Sequence, residues 1–174
     1  MNSTEEKLTI THSPIRAMDL PVGWFEDFPQ VGLPRNSSRR RFHCVESPTA
    51  EIFIYVCGVP FDSVSIKAFN DLLTEPPKIV LPVRLQKIKN ILGNMSDPNV
   101  FKILIATTQM VSGKNVLIIE GRWSNDEDTY AVFIPESDGS RFVVELHYQA
   151  AKEVFRKNLQ VVKASVLSIK WQDN

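Results

Sequence analysis

Between residues 101 and 149 the chain reads as four strands in succession, joined by short connectors and apolar on both faces. The strands cover 101–110, 115–123, 129–134 and 141–149. Ser112-Gly113, residues 124–128, and Ser137-Asp138-Gly139-Ser140 supply the turn formers that hairpins need. Connectors this short join antiparallel neighbours, so the segment predicts a meander. With Ser112-Gly113 as a two-residue turn, Leu104, Ala106, Met110, Leu117, Ile119 and Trp123 share one face. Phe101, Ile103, Ile105, Val116 and Ile118 then share the other. A sheet apolar on both faces has to be covered on both, which calls for helices on each side.

The flanking segments supply them. Residues 39–45 and 51–57 read as two more strands, with Ser47-Pro48-Thr49 as their turn, and Ile52, Ile54 and Val56 alternate with Phe53 and Tyr55. Asp62 or Ser63 can cap a helix running to about Leu73, with Val64, Ala68, Phe69 and Leu72 as its apolar stripe. A second helix is signalled by Pro82 and by Leu81, Leu85, Ile88, Ile91 and Leu92, with Gly93 available to end it. After Gln149, the residues Phe155, Leu159, Val162, Val166 and Ile169 repeat at helical spacing, as one helix or as two with a break near Lys157. The order ββααββββα predicts an α+β fold, a three-layer α/β/α sandwich around a central antiparallel sheet. Residues 1–174 are expected to form a single domain with a loop-rich N-terminal segment, 1–38, punctuated by Pro21, Pro29 and Pro34.

Composition narrows the class without naming a role. A chain of 174 residues, 43% hydrophobic and 23% charged, is long enough to bury about 70% of its unfolded surface. Twenty basic residues balance twenty acidic ones. A dedicated nucleic-acid binder usually carries a positive excess, so no specific nucleic-acid signal is present. No stretch approaches the ~20 apolar residues of a membrane span, and residues 1–10 lack the apolar centre of a signal peptide. A hairpin pairing Glu46 with Glu51 would set Cys44 opposite Phe53 and Cys57 opposite Arg40, too far apart to bond. Two free thiols point to a cytoplasmic location.

Several C-terminal features occur together. The run Gly113-Lys114-Asn115-Val116-Leu117-Ile118-Ile119-Glu120-Gly121 is followed by a turn, a strand and Asp138-Gly139. Then come Val144-Glu145-Leu146-His147-Tyr148-Gln149-Ala150-Ala151 and a last helix ending Ser168-Ile169-Lys170-Trp171. Over residues 101–171 this pattern resembles bacterial members of the PsbP-like superfamily, which includes an extrinsic photosystem II subunit and a Ran-binding nuclear import factor. The resemblance implies an antiparallel sheet sandwiched by helices and a role in binding another protein. The chain shows neither a lumenal targeting segment nor a Ran-specific signature, so the fold carries over and the partner does not.

Nothing in the sequence identifies a reaction. His12, His43 and His147 are scattered, no zinc-type spacing occurs, and neither a nucleophile elbow nor a phosphate loop is present, so no metal or cofactor is expected. Weak catalytic candidates are Glu120, Glu145 and His147, since a half-buried glutamate beside a histidine is material for proton transfer. The competing reading gives these residues ordinary cross-strand pairs, such as Glu120 with a nearby base. Arg35, Arg39, Arg40 and Arg41 form the one dense charge run, with Arg39, Arg40 and Arg41 read as a solvated edge strand or as the rim of a surface for an acidic protein. Trp24 is either a packing anchor or part of a partner-binding aromatic patch. The leading expectation is a nonenzymatic protein-interaction or assembly module. The alternative is a small-ligand binder or enzyme using the Glu/His cluster, and a cavity around those residues separates the two.

Overall fold

The computed structural model describes residues 9–27, 39–56, 59–137 and 139–172. Five strands come first: β1 (Thr9–His12), β2 (Ile15–Asp19), β3 (Trp24–Glu26), β4 (Arg39–Cys44) and β5 (Ser47–Val56). Three helices follow, α1 (Ser63–Thr74), α2 (Pro82–Gln86) and α3 (Lys89–Leu92), the last running into a 3-10 turn at Gly93–Ser96. The meander is β6 (Phe101–Val111), β7 (Lys114–Trp123), β8 (Glu127–Pro135) and β9 (Val143–Ala151). It leads into α4 (Lys152–Leu167) and β10 (Lys170–Trp171).

Two meanders fuse into one antiparallel sheet of order β3-β4-β5-β9-β8-β7-β6, joined along the β5–β9 seam. Between β5 and β6 the chain must travel from mid-sheet to the far edge, and α1, α2 and α3 cover one face on the way. Beyond β9 the chain turns back as α4 over the other face. There it meets a small sheet of order β1-β2-β10. The result is an α+β fold with an antiparallel sheet at its centre. One core holds Phe69, Leu72, Ile88, Leu117, Ile119 and Phe133 on the α1–α3 side. A second holds Ile52, Ile54, Val132, Leu146, Tyr148 and Val166 on the α4 side.

The Ser112-Gly113 turn forms as expected. Both residues have positive φ, 46° and 86°, the two-residue turn whose twist suits an antiparallel hairpin. Its tip is docked: Ser112 Oγ donates to the Ile169 carbonyl at 2.6 Å, and Trp171 Nε1 donates to the Val111 carbonyl at 2.8 Å. Asp62 caps α1 by accepting from the amides of Val64 and Ser65 at 3.1 and 2.8 Å.

Other expectations are corrected. An extra residue at Leu104 shifts the β6–β7 register between Ile103↔Gly121 and Ile105↔Glu120. The parity of β6 flips there, so Phe101 joins Leu117 and Ile119 on the α1–α3 side instead of opposing them. Gly121 makes room for that ring: a Cβ on it would lie 2.3 Å from Phe101 Cζ. The helix expected from Pro82 to Leu92 is broken at Ile88, which has φ −117° and ψ 19°. Leu81 is an extended cap and stands exposed, while Leu85, Ile88, Ile91 and Leu92 are buried. Val64 is exposed too, because the buried stripe of α1 runs through Ile66, Phe69, Leu72 and Leu73. Ile169 and Trp171 lie beyond α4, Trp171 in β10, paired with β2. Three short strands occupy part of the stretch read as loop-rich. The β4–β5 hairpin turns at Val45 and Glu46, so Phe53 opposes Arg41 and Cys44 opposes Ser47. Cys44 is a buried free thiol; Cys57 lies outside the described residues.

Candidate functional site

Alternation along β9 sends Val144, Leu146 and Tyr148 towards α4, and Glu145 and His147 towards the α1–α3 side. Pairing across the β5–β9 seam places Tyr55 opposite Glu145 and Phe53 opposite His147. β8 adds Phe133 and Ala131 as their partners on the other flank. Both polar residues are sunk in the sheet, Glu145 at 6% and His147 at 4% exposure.

Burial at that depth demands hydrogen bonds. The Tyr55 hydroxyl donates to Glu145 Oε2 at 2.6 Å, and His147 Nε2 lies 2.9 Å from the same oxygen. The imidazole stacks on Phe53, with ring centres 4.7 Å apart and planes 9° from parallel, and meets Phe133 edge-on at 5.9 Å. His147 Nδ1 is buried without a hydrogen-bond partner among the described residues. A proton on Nδ1 would be an unbonded buried donor, so the ring carries its proton on Nε2 and donates it to Glu145. Above this group α3 and the turn after it, with Ile91, Leu92 and Met95, and Trp123 from β7 line a half-open cavity of about 410 Å³. Glu145 and His147 line it.

Glu120 is not part of this site. It points to the opposite face, beside its β8 partner Tyr130, and accepts from Lys163 of α4 at 2.6 Å. That is the pairing with a nearby base that competes with a catalytic role. Lys163 also lies 5.4 Å from the centre of the Tyr130 ring. Burial, with the Glu120 charge adding to it, holds the Tyr130 phenol well above the ordinary tyrosine range. Tyr55, which sequence reasoning did not single out, takes the third place in the cluster.

β3 covers only Phe42–Cys44 on the outer side of β4, and the Asp27 amide reaches the Arg41 carbonyl at 2.9 Å, so among the described residues no strand pairs outside Arg39 and Arg40. Arg40 makes a bidentate pair with Glu26, both contacts 2.6 Å, and Arg41 pairs with Glu51 at 3.2 Å. Arg39 lies on β4 opposite Tyr55. Trp24 is 6% exposed and packs edge-on against Tyr148 at 6.0 Å, the packing-anchor position rather than an exposed patch. It also contributes to a groove of about 600 Å³ with Val22, Val45 and Val161.

An apolar groove that the sequence reading missed lies at the β6 edge of the sheet. The segment Lys78 to Val80 pairs with part of that edge, through Val80 N to the Ala106 carbonyl and Thr108 N to the Lys78 carbonyl, both 2.8 Å. β6 has no neighbouring strand on its outer side among the described residues. Ile79, Leu81, Leu104 and Ile105 line a groove of about 440 Å³ there, and they are 68%, 60%, 59% and 43% exposed. Among the described residues no group of three or more histidine, cysteine, aspartate and glutamate side chains is placed to hold a metal. No described helix is long and apolar enough to cross a membrane.

No protein-family model matches the chain, and no curated protein matches its sequence. Among solved structures it is similar to cyanobacterial PsbP (CyanoP) from Synechocystis sp. PCC 6803, at a TM-score of 0.55 and 8% sequence identity. The match covers 98% of this chain and 96% of that one. The chain therefore has the PsbP-like fold, over a span longer than the residues 101–171 that carried the sequence resemblance.

Proposed function

We propose that this protein is a nonenzymatic protein-interaction or assembly module that receives its partner in the apolar groove at the β6 edge. One observation carries the reading: four large aliphatic side chains, Ile79, Leu81, Leu104 and Ile105, stand exposed around one groove beside a strand whose outer side is paired, among the described residues, only by the short segment Lys78 to Val80. Exposed apolar clusters of this kind mark interaction sites. The bulge at Leu104 and the charge of Lys102 guard the same edge against indiscriminate strand pairing, so side-chain docking in the groove is the favoured mode. The PsbP-like fold is in keeping with a protein-binding role. The arginines contribute less than their density implies, because Arg40 and Arg41 already pair with Glu26 and Glu51.

The test is the double substitution Leu81→Lys with Leu104→Lys, expressed at native level in the source cell. Both side chains are exposed, so the melting temperature should stay within a few degrees of wild type. Wild-type protein should migrate on native sizing well above its own 19.8 kDa, and the variant should fall to the size of the free chain. A wild type that runs as the free chain, or a complex that survives both lysines, refutes the reading.

A further inference from the structure

We infer that the cavity over Glu145 and His147 is a binding site for a small organic cation, a primary amine or amidine on an apolar body. Glu145 is 6% exposed, and both of its hydrogen bonds, from Tyr55 and His147, fall on the single oxygen Oε2. Oε1 receives none among the described residues, and it is not among the atoms sealed away from solvent. Among the described residues no lysine or arginine lines the cavity.

A carboxylate buried to this degree is ordinarily paired with a cation, because taking a lone charge out of water costs several kcal/mol. Here the protein supplies two donors on one side and leaves the other side open to a cavity. The vacant partner is a positively charged donor. The remaining polar atom of the pair, Nδ1 of His147, is sealed away from solvent, so Oε1 is the acceptor left for a ligand. An anionic ligand would meet a carboxylate, with no positive group among the described lining residues to receive it. Phe53, Leu92, Met95 and Trp123 define the rest of the ligand: walls that desolvate an apolar or aromatic body and strengthen the charge pair by excluding water. A volume of about 410 Å³ admits a ring with a short alkyl arm. This site shares Leu92 with the lining of the docking groove, but neither Glu145 and His147 nor the exposed aliphatics of the groove are common to both, so the two readings are tested by different substitutions.

The experiment is titration calorimetry of the full chain with benzylamine, phenethylamine and tryptamine. Each is set against its uncharged alcohol, and tryptamine also against indole-3-acetate, which reverses the charge on the same ring. The wild type should bind at least one amine tenfold or more tighter than its alcohol, and indole-3-acetate should not bind. Glu145→Gln should remove the preference of amine over alcohol while leaving binding of the alcohol unchanged. Amide signals of residues 145–147 should shift on titration in the wild type. If no amine of the series outbinds its alcohol in the wild type, the inference is wrong, and this comparison decides the question even if the glutamine variant fails to fold.

Discussion

Across the seam where the two meanders join, the hydroxyl of Tyr55 donates to Oε2 of Glu145 at 2.6 Å. The bond ties the N-terminal β3–β5 meander to the C-terminal β6–β9 meander through a buried carboxylate. It also decides which oxygen of Glu145 is occupied, and so which way the residue's free acceptor is turned.

Removing that hydroxyl should weaken both roles. Tyr55→Phe keeps the ring and its stacking in the row with Phe53 and His147 while deleting one hydrogen bond to a charged acceptor. Urea denaturation should report a loss of about 1.5 to 3 kcal/mol, the usual range for a hydrogen bond to an ionised group. An unchanged midpoint would mean that water replaces the hydroxyl and that the seam does not depend on it.

Gly121 faces a tighter restriction. A methyl group there would sit 2.3 Å from Phe101 Cζ and 2.5 Å from the Lys102 carbonyl oxygen, and the backbone atom cannot swing away. Gly121→Ala should therefore destabilise the fold by about 1 to 3 kcal/mol, the range for overpacking. A thermal melt superimposable on wild type would contradict the placement of Phe101 across β7, and with it the bulge at Leu104.

Alkaline titration should separate the tyrosines. Burial raises the Tyr148 phenol to about 12, and burial aided by Glu120 raises Tyr130 as well. Both are protonated in the folded state at pH values where an unfolded tyrosine, ionising near 10, has lost its proton. The folded pKa is the raised one, so the stabilisation is complete below pH ~10 and is lost as pH climbs from 10 through the folded values. Tyrosinate absorbance at 295 nm should show Tyr130 and Tyr148 silent at pH 10.5 and ionising together with the loss of ellipticity. Full ionisation at pH 10.5 with the fold intact would refute their burial.

What could be read from the sequence was local. The β6–β9 meander, the Ser112-Gly113 turn and the Asp62 cap depend on residues close together in the chain, and each forms where the pattern puts it. The alternation that sets Glu145 and His147 on one face of β9 is local too. The error was in joining Glu120 to them. Residues 136–142 connect β8 to β9, and a connection of that length leaves the parity between the strands undetermined. Tyr55 could not be placed in the site because the β5–β9 pairing spans some ninety residues and rests on the core, not on a turn. Nor does any periodicity reveal the extra residue at Leu104, since 101–111 reads as an unbroken strand. The N-terminal strands are three to five residues long and separated by prolines and turns, too short to show alternation.

The docking groove is tested most directly by site-specific photocrosslinking in the source cell. A photoreactive amino acid is placed at Leu104 in one strain and at Lys67, on the exposed face of α1, in another. The groove reading predicts one discrete protein adduct of reproducible mass from position 104, suppressed by Leu81→Lys in the same chain, and none from position 67. Equal, diffuse labelling from both positions, or no protein adduct at 104, would contradict it.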